Sequence, residues 1–160
     1  MSINIAASPL QCHEVSIAYK TMLHPAMKYS LSSTTLTIHE CIRVDRSYRP
    51  TLLSRMGFNC CTKHLLLFGS LSLGAFGFTN KWTNQGIAQI QLILGHLRKN
   101  EEFGVLTNII LETLQLVIGS SLPLFHYPLT QVLKFCTSNW LLNVWKFLIS
   151  IHGTIHLERA

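Results

Sequence analysis

The most apolar run of the chain, Leu65 to Phe78, is 14 residues long, lies between Lys63 and Lys81, and contains three glycines and two serines. A helix that crosses a bilayer needs about 20 apolar residues. The longer stretch from Val105 to Leu124 is interrupted by Glu112, Gln115, Ser120, Ser121 and Pro123. A charge at mid-bilayer costs at least about 2.5 kcal/mol. The sequence therefore predicts no transmembrane helix, and its apolar residues must find a core or a partner.

How much they must bury follows from composition. Of 160 residues, 48% are hydrophobic and only 12% charged, about half the charged share usual in soluble domains. Disorder is excluded, since it requires low hydrophobicity and high charge. A chain this apolar is expected to finish covering its surface in an oligomer, on a partner or at a membrane. The net charge of +6 favours anionic partners. Residues Met1 to Leu10 show neither a basic n-region nor an apolar h-region, so no signal peptide is expected. The five cysteines, odd in number and irregular in spacing, read as reduced thiols.

Periodicity predicts strands at both ends and helices between. The first strand is expected within Lys28 to Val44: from Thr34, the positions Thr34, Leu36, Ile38, Glu40, Ile42 and Val44 alternate with Thr35, Thr37, His39, Cys41 and Arg43, the period of a strand with one buried face on which Glu40 is the polar intruder. Asp45 to Pro50 reads as a polar connector leading to a short helix over Thr51 to Met56. Helical stripes follow at Ile87–Ile90–Leu94–Leu97, at Leu106–Ile109–Ile110–Thr113–Leu114–Val117 ended by Gly119, and from Leu129 to Val144. A second alternation, Phe147–Ile149–Ile151–Ile155–Leu157 against Ser150–His152–Thr154–His156–Glu158, predicts a closing strand with a bulge at Gly153. The expected fold is α+β: terminal β-strands forming a small sheet packed against a central set of helices, with residues 1–27 as a loose arm and 28–160 as one domain.

The chemistry-bearing residues do not assemble a recognisable catalytic centre. There is no G-x-S-x-G elbow, P-loop or G-x-G-x-x-G. Glu101-Glu102 is the only adjacent acidic pair, in an expected turn. Cys60, Cys61 and His64, with His39 and Cys41, lack the paired spacing of structural zinc. His152 and His156 lie about 13 Å apart if they sit on a strand. No enzyme activity, cofactor or structural metal is expected. The aromatic set Phe125, Tyr127, Trp140, Trp145 and Phe147 is expected mainly in the core. The densest positive field is Arg43, Arg46, Arg49, Arg55 and Lys63, the candidate anion- and phosphate-binding residues.

Three segments resemble the matrix proteins of rhabdoviruses, in a short plant-virus form. They are Leu36-Thr37-Ile38 through Arg46-Ser47-Tyr48-Arg49-Pro50, then Lys63-His64-Leu65-Leu66-Leu67-Phe68-Gly69-Ser70, then Ile151-His152-Gly153-Thr154-Ile155-His156-Leu157. The resemblance covers about a third of the chain and lacks the lysine- and proline-rich arm and the P-P-x-Y motif of animal-virus members. It implies a structural protein of the virion and host cytoplasm that binds an anionic membrane peripherally, binds viral nucleoprotein or RNA, and self-associates during assembly. The alternative expectation is a small accessory protein that binds a membrane or a host protein through amphipathic helices.

Overall fold

A computed structural model describes residues 7–59, 61–73, 75–99, 101–119, 121 and 124–155. Its regular elements among the described residues are helices: α1 (Cys12–Ala18), α2 (His24–Leu31), α3 (Ile38–Arg55), α4 (His64–Phe68), α5 (Lys81–Lys99), α6 (Glu102–Ile118), α7 (Leu129–Val132) and α8 (Asn139–Ser150). A π-turn, Tyr19–Leu23, joins α1 to α2. No strand occurs among the described residues, so the expected α+β fold with a terminal sheet is corrected to an all-α fold.

The first predicted strand is a helix because of its cap. The Thr37 hydroxyl accepts from the Glu40 N–H at 3.3 Å, and the Glu40 carboxylate accepts from the Thr37 N–H at 2.7 Å and from its hydroxyl at 2.8 Å. This reciprocal box satisfies donors that an uncapped helix start leaves open. It commits Ile38 onward to α3, where Cys41, Asp45, Tyr48 and Leu52 form the buried side. The predicted connector Asp45–Pro50 and the predicted helix after it are the middle and end of the same helix, which runs on through the exposed Pro50. The residues before α3 are held by side chains of later helices. Gln85 exchanges two hydrogen bonds with the Leu36 backbone, at 3.2 and 2.9 Å. Gln89 donates to the Thr34 carbonyl at 2.7 Å, and the Trp140 indole donates to the Ser32 carbonyl at 2.9 Å.

The second predicted strand is corrected as well. Phe147 to Ser150 are the end of α8, a helix started by the Ser138 hydroxyl accepting from the Leu141 N–H. Phe147 and Leu148 are both buried, which a strand with one buried face would not allow. The chain turns at His152, whose φ is +52°, and residues 156–160 of the expected strand lie outside the described residues. The expected helix from Leu129 to Val144 is broken: α7 ends at Val132 and α8 starts at Asn139.

The chain divides into two compact units, residues 1–31 with 36–85 and residues 32–35 with 86–160, the boundary falling within α5. The core of the first holds Val15, Tyr19, Leu23, Tyr48, Leu52 and Leu67, so α1 and the π-turn contribute to it. The core of the second gathers Leu111, Leu114, Phe125, Val144, Trp145 and Leu148. Two glycines permit close approaches in this second unit. A Cβ on Gly86 would overlap the Phe147 ring, and one on Gly104 would overlap the His96 carbonyl oxygen.

Candidate functional site

The five cationic candidates separate once α3 is a continuous helix. Arg43 and Arg46, three residues apart, fall on its exposed side with His39 and Pro50. Arg49 turns toward α4, its guanidinium 5.8 Å from the centroid of the Phe68 ring. Arg55 donates to the Ser8 carbonyl. Lys63 is exposed at the N-cap of α4. The fold thus brings two of the five onto one outward face and gives Arg49 and Arg55 local packing partners. Glu40, one turn before Arg43, has its pKa lowered, first by the Thr37 backbone N–H, then by the Thr37 hydroxyl and by Arg43.

The inner side of α3 carries a second polar group. Lys81, the first residue of α5, is 1% exposed, and its amine has no hydrogen-bond partner among the described residues. It lies over two rings, 5.4 Å from the centroid of Tyr48 and 5.9 Å from that of Tyr19. The Tyr48 hydroxyl donates to the buried Asp45 carboxylate at 2.7 Å. Burial lowers the Lys81 pKa, against the opposing pull of Asp45 and Cys41. Burial, reinforced by Asp45, pushes the Tyr19 hydroxyl up to about 12. Burial, followed by Asp45 and Glu40, pushes the Cys41 thiol up to about 11. This cluster holds one buried cation with aromatic faces and one carboxylate, an arrangement that balances charge. A raised thiol pKa and a buried amine make Cys41 and Lys81 poor nucleophiles toward anything in solvent.

Beside it, His24 Nε2 lies 2.9 Å from the Thr79 hydroxyl and 3.2 Å from the Asn84 amide. Its pKa is lowered by burial first, then by Lys81 and Lys28.

No group of three His, Cys, Asp or Glu residues among those described is placed to hold a metal. Cys60 lies outside the described residues, Cys61 is exposed, and His64 is exposed and stacks on Phe68 at 5.5 Å. His39 and Cys41 fall on opposite sides of α3, one exposed and one buried. Glu101 stands at the N-cap position of α6 without a side-chain capping bond, its carboxylate 3.9 Å from Lys99 and 4.0 Å from His96. The aromatic residues behave as expected: Phe125 and Trp145 pack at 5.2 Å in the second core, and Phe147 is buried.

The most unusual surface belongs to α6, the helix of the Leu106–Val117 stripe. Of the residues on α6, Gly104, Leu111 and Leu114 are buried, whereas Phe103, Val105, Leu106, Ile109, Ile110, Leu116 and Val117 are exposed. The backbone of Gly104 packs against the His96 carbonyl on the inward side, and the Leu106–Ile110–Val117 row lies on the outward one. A helix apolar on nearly all sides is expected inside a core, in lipid or against another protein. No helix among the described residues is long and apolar enough to cross a membrane. The chain matches no protein-family model, no curated protein and no solved structure.

Proposed function

We propose that this is a non-enzymatic binding protein that works through two helix faces: the arginine face of α3 for an anionic surface, and the apolar face of α6 for protein. The observation that carries the reading is the outward row of seven large apolar side chains on α6. Single exposed apolar residues are ordinary, but a contiguous patch of several hundred Å² marks an interaction site. The α3 face adds Arg43 and Arg46, whose planar forks suit phosphate oxygens. The all-α fold favours the accessory-type reading, in which amphipathic helices do the binding.

A matrix-type role in virion assembly is the second reading. The exposed Arg43 and Arg46, in one of the three segments that carried the resemblance, favour it; the loss of both expected strands weakens it. Its partners would be an anionic membrane and viral nucleoprotein or RNA.

Sedimentation with phosphatidylserine-containing and neutral vesicles, over a range of salt, tests the anionic arm. Binding only to the anionic vesicles, reversed by salt or alkaline carbonate, is the expected outcome. Equal binding to both vesicle types, or release only by detergent, defeats it. Detection in purified virions together with salt-sensitive RNA binding separates the matrix reading from the accessory one.

A further inference from the structure

We infer that the outward face of α6 is a self-association surface, covered by the same face of a second copy of this chain. The inference deepens the proposed protein-binding role of this face and rests on that reading.

The spacing is the first argument. Phe103, Leu106, Ile110, Thr113 and Val117 are separated by three, four, three and four residues, and all five are exposed. That is the heptad seam by which one α-helix packs along another, each side chain entering a hole between four on the facing helix. Ile109 and Leu116, seven apart, widen the seam on one side. Asn108 donates to Glu112 at 3.2 Å along the polar margin. The inward side of the same helix is already packed through Leu111 and Leu114, so the seam is a second apolar face.

Area is the second argument. The seven exposed side chains, from Val105 at 46% to Leu116 at 81%, present roughly 600–800 Å² if each offers about 150–200 Å² when fully exposed. A standard stable interface takes about 800 Å² from each partner. A two-fold pairing of identical seams is self-complementary and closes, which prevents further growth through this face.

Charge chooses the occupant. Helices that lie in anionic lipid carry Lys and Arg beside the apolar face. The α6 segment has no Lys, Arg or His, and its charges are Glu102 and Glu112. An anionic membrane would repel this face, although the chain as a whole is at +6. A near-neutral apolar seam is what another copy of itself accepts.

Sedimentation-velocity ultracentrifugation of the full chain, from about 1 to 100 µM, tests this. The expected result is a concentration-dependent dimer. Leu106→Glu with Ile110→Glu, both at exposed positions, should give a monomer with unchanged far-UV circular dichroism. Leu116→Lys, near the helix C-terminus where a cation is favourable, should by itself weaken dimerisation about tenfold and decides the matter if the double variant does not fold. Leu65→Glu, at an exposed position on α4, should leave the dimer intact. A wild-type monomer throughout this range, a dimer that survives the α6 substitutions, or vesicle binding that is lost with the seam overturns the inference. A dimer that ignores anionic vesicles removes the α3 reading and leaves this one standing; a monomer with salt-sensitive vesicle binding does the reverse.

Discussion

The Lys81 ammonium lies 5.4 Å from the centroid of the Tyr48 ring, and the hydroxyl of that ring donates to Asp45 at 2.7 Å. One tyrosine therefore touches both charges of a buried cluster, the cation by its face and the carboxylate by its edge. The negative face of an aromatic ring attracts a cation, and the hydroxyl satisfies one lone pair of the carboxylate. Lys81 is nonetheless left without a hydrogen-bond acceptor among the described residues, so its charge depends on Asp45 and the two rings.

Asp45→Asn should destabilise the fold by about 3 kcal/mol, because it strands a buried cation without its counter-charge. Lys81→Met should also destabilise, leaving the buried Asp45 carboxylate without the Lys81 charge. The double variant should lose less than the sum of the two single losses, since it removes both charges together. Urea unfolding of the four proteins measures the coupling, and strictly additive losses would show that the two charges do not interact.

Acid should weaken the fold before carboxylates titrate. The His24 pKa is held below its usual 6.5 by burial, with Lys81 and Lys28 adding to the effect. As pH falls past 6.5, the unfolded chain takes up a proton that the folded chain refuses. Stability is thus complete above that value, declines as pH falls toward the folded pKa, and levels off below it. His24→Gln should flatten this part of the curve in urea titrations between pH 7.5 and 5. An unchanged slope in the variant assigns the effect to another histidine.

Arg43→Ala with Arg46→Ala should reduce affinity for anionic vesicles by about 2 kcal/mol, or roughly thirtyfold, at about 1 kcal/mol for each basic residue near the surface. Both side chains are exposed, so stability should change by less than about 0.5 kcal/mol each. The double variant should also lose part of the salt dependence. A folded double variant that binds as tightly as the parent reduces α3 to an ordinary solvated helix.

Two glycines should respond to alanine with opposite signs. Gly95, inside α5, faces open space where a Cβ would stand, so Gly95→Ala should stabilise by up to about 1 kcal/mol. Gly104, inside α6, has the His96 carbonyl oxygen in that place, a backbone atom with little freedom to move. Gly104→Ala should destabilise by about 1–3 kcal/mol despite the better helix propensity. Thermal unfolding of both variants checks the pair. If both are stabilised, the approach of Gly104 to the His96 carbonyl leaves room for a side chain.

Two of the three central helices were legible because their signals were local, whereas the third, Leu129 to Val144, is two helices. The stripe from Ile87 to Leu97 with Arg98 and Lys99 behind it gave α5, and Gly119, at φ 72° and ψ 35°, ends α6 as the left-handed C-cap expected of glycine. The ends were misread because period-two alternation in a segment of ten residues is also compatible with a helix whose two sides are mixed. The decisive signal was present in Thr37-x-x-Glu40, the capping box that starts α3 and overrides the β-branched run behind it. The same helix explains the arginine set, since three-residue spacing gathers Arg43 and Arg46 on one side only when the backbone is helical.

The sequence determined that this chain must bury a large apolar fraction with few charges, that its most apolar run, Leu65 to Phe78, is 14 residues long, and that its cations concentrate between Arg43 and Lys63. Those are properties of composition and of short windows, and they hold in any fold. Tertiary structure alone decided which face of each helix points inward. Leu106, Ile109, Ile110, Thr113, Leu114 and Val117 form one stripe on paper, yet Leu114 is buried and the other five are exposed. Likewise, Lys81 at the edge of an apolar run looks like surface charge, but it is buried over Tyr19 and Tyr48. The reason is physical: a helix that is apolar nearly all round carries no preference of its own for one side, so the contacts it makes, such as Gly104 against the His96 carbonyl, are what distinguish its inward side.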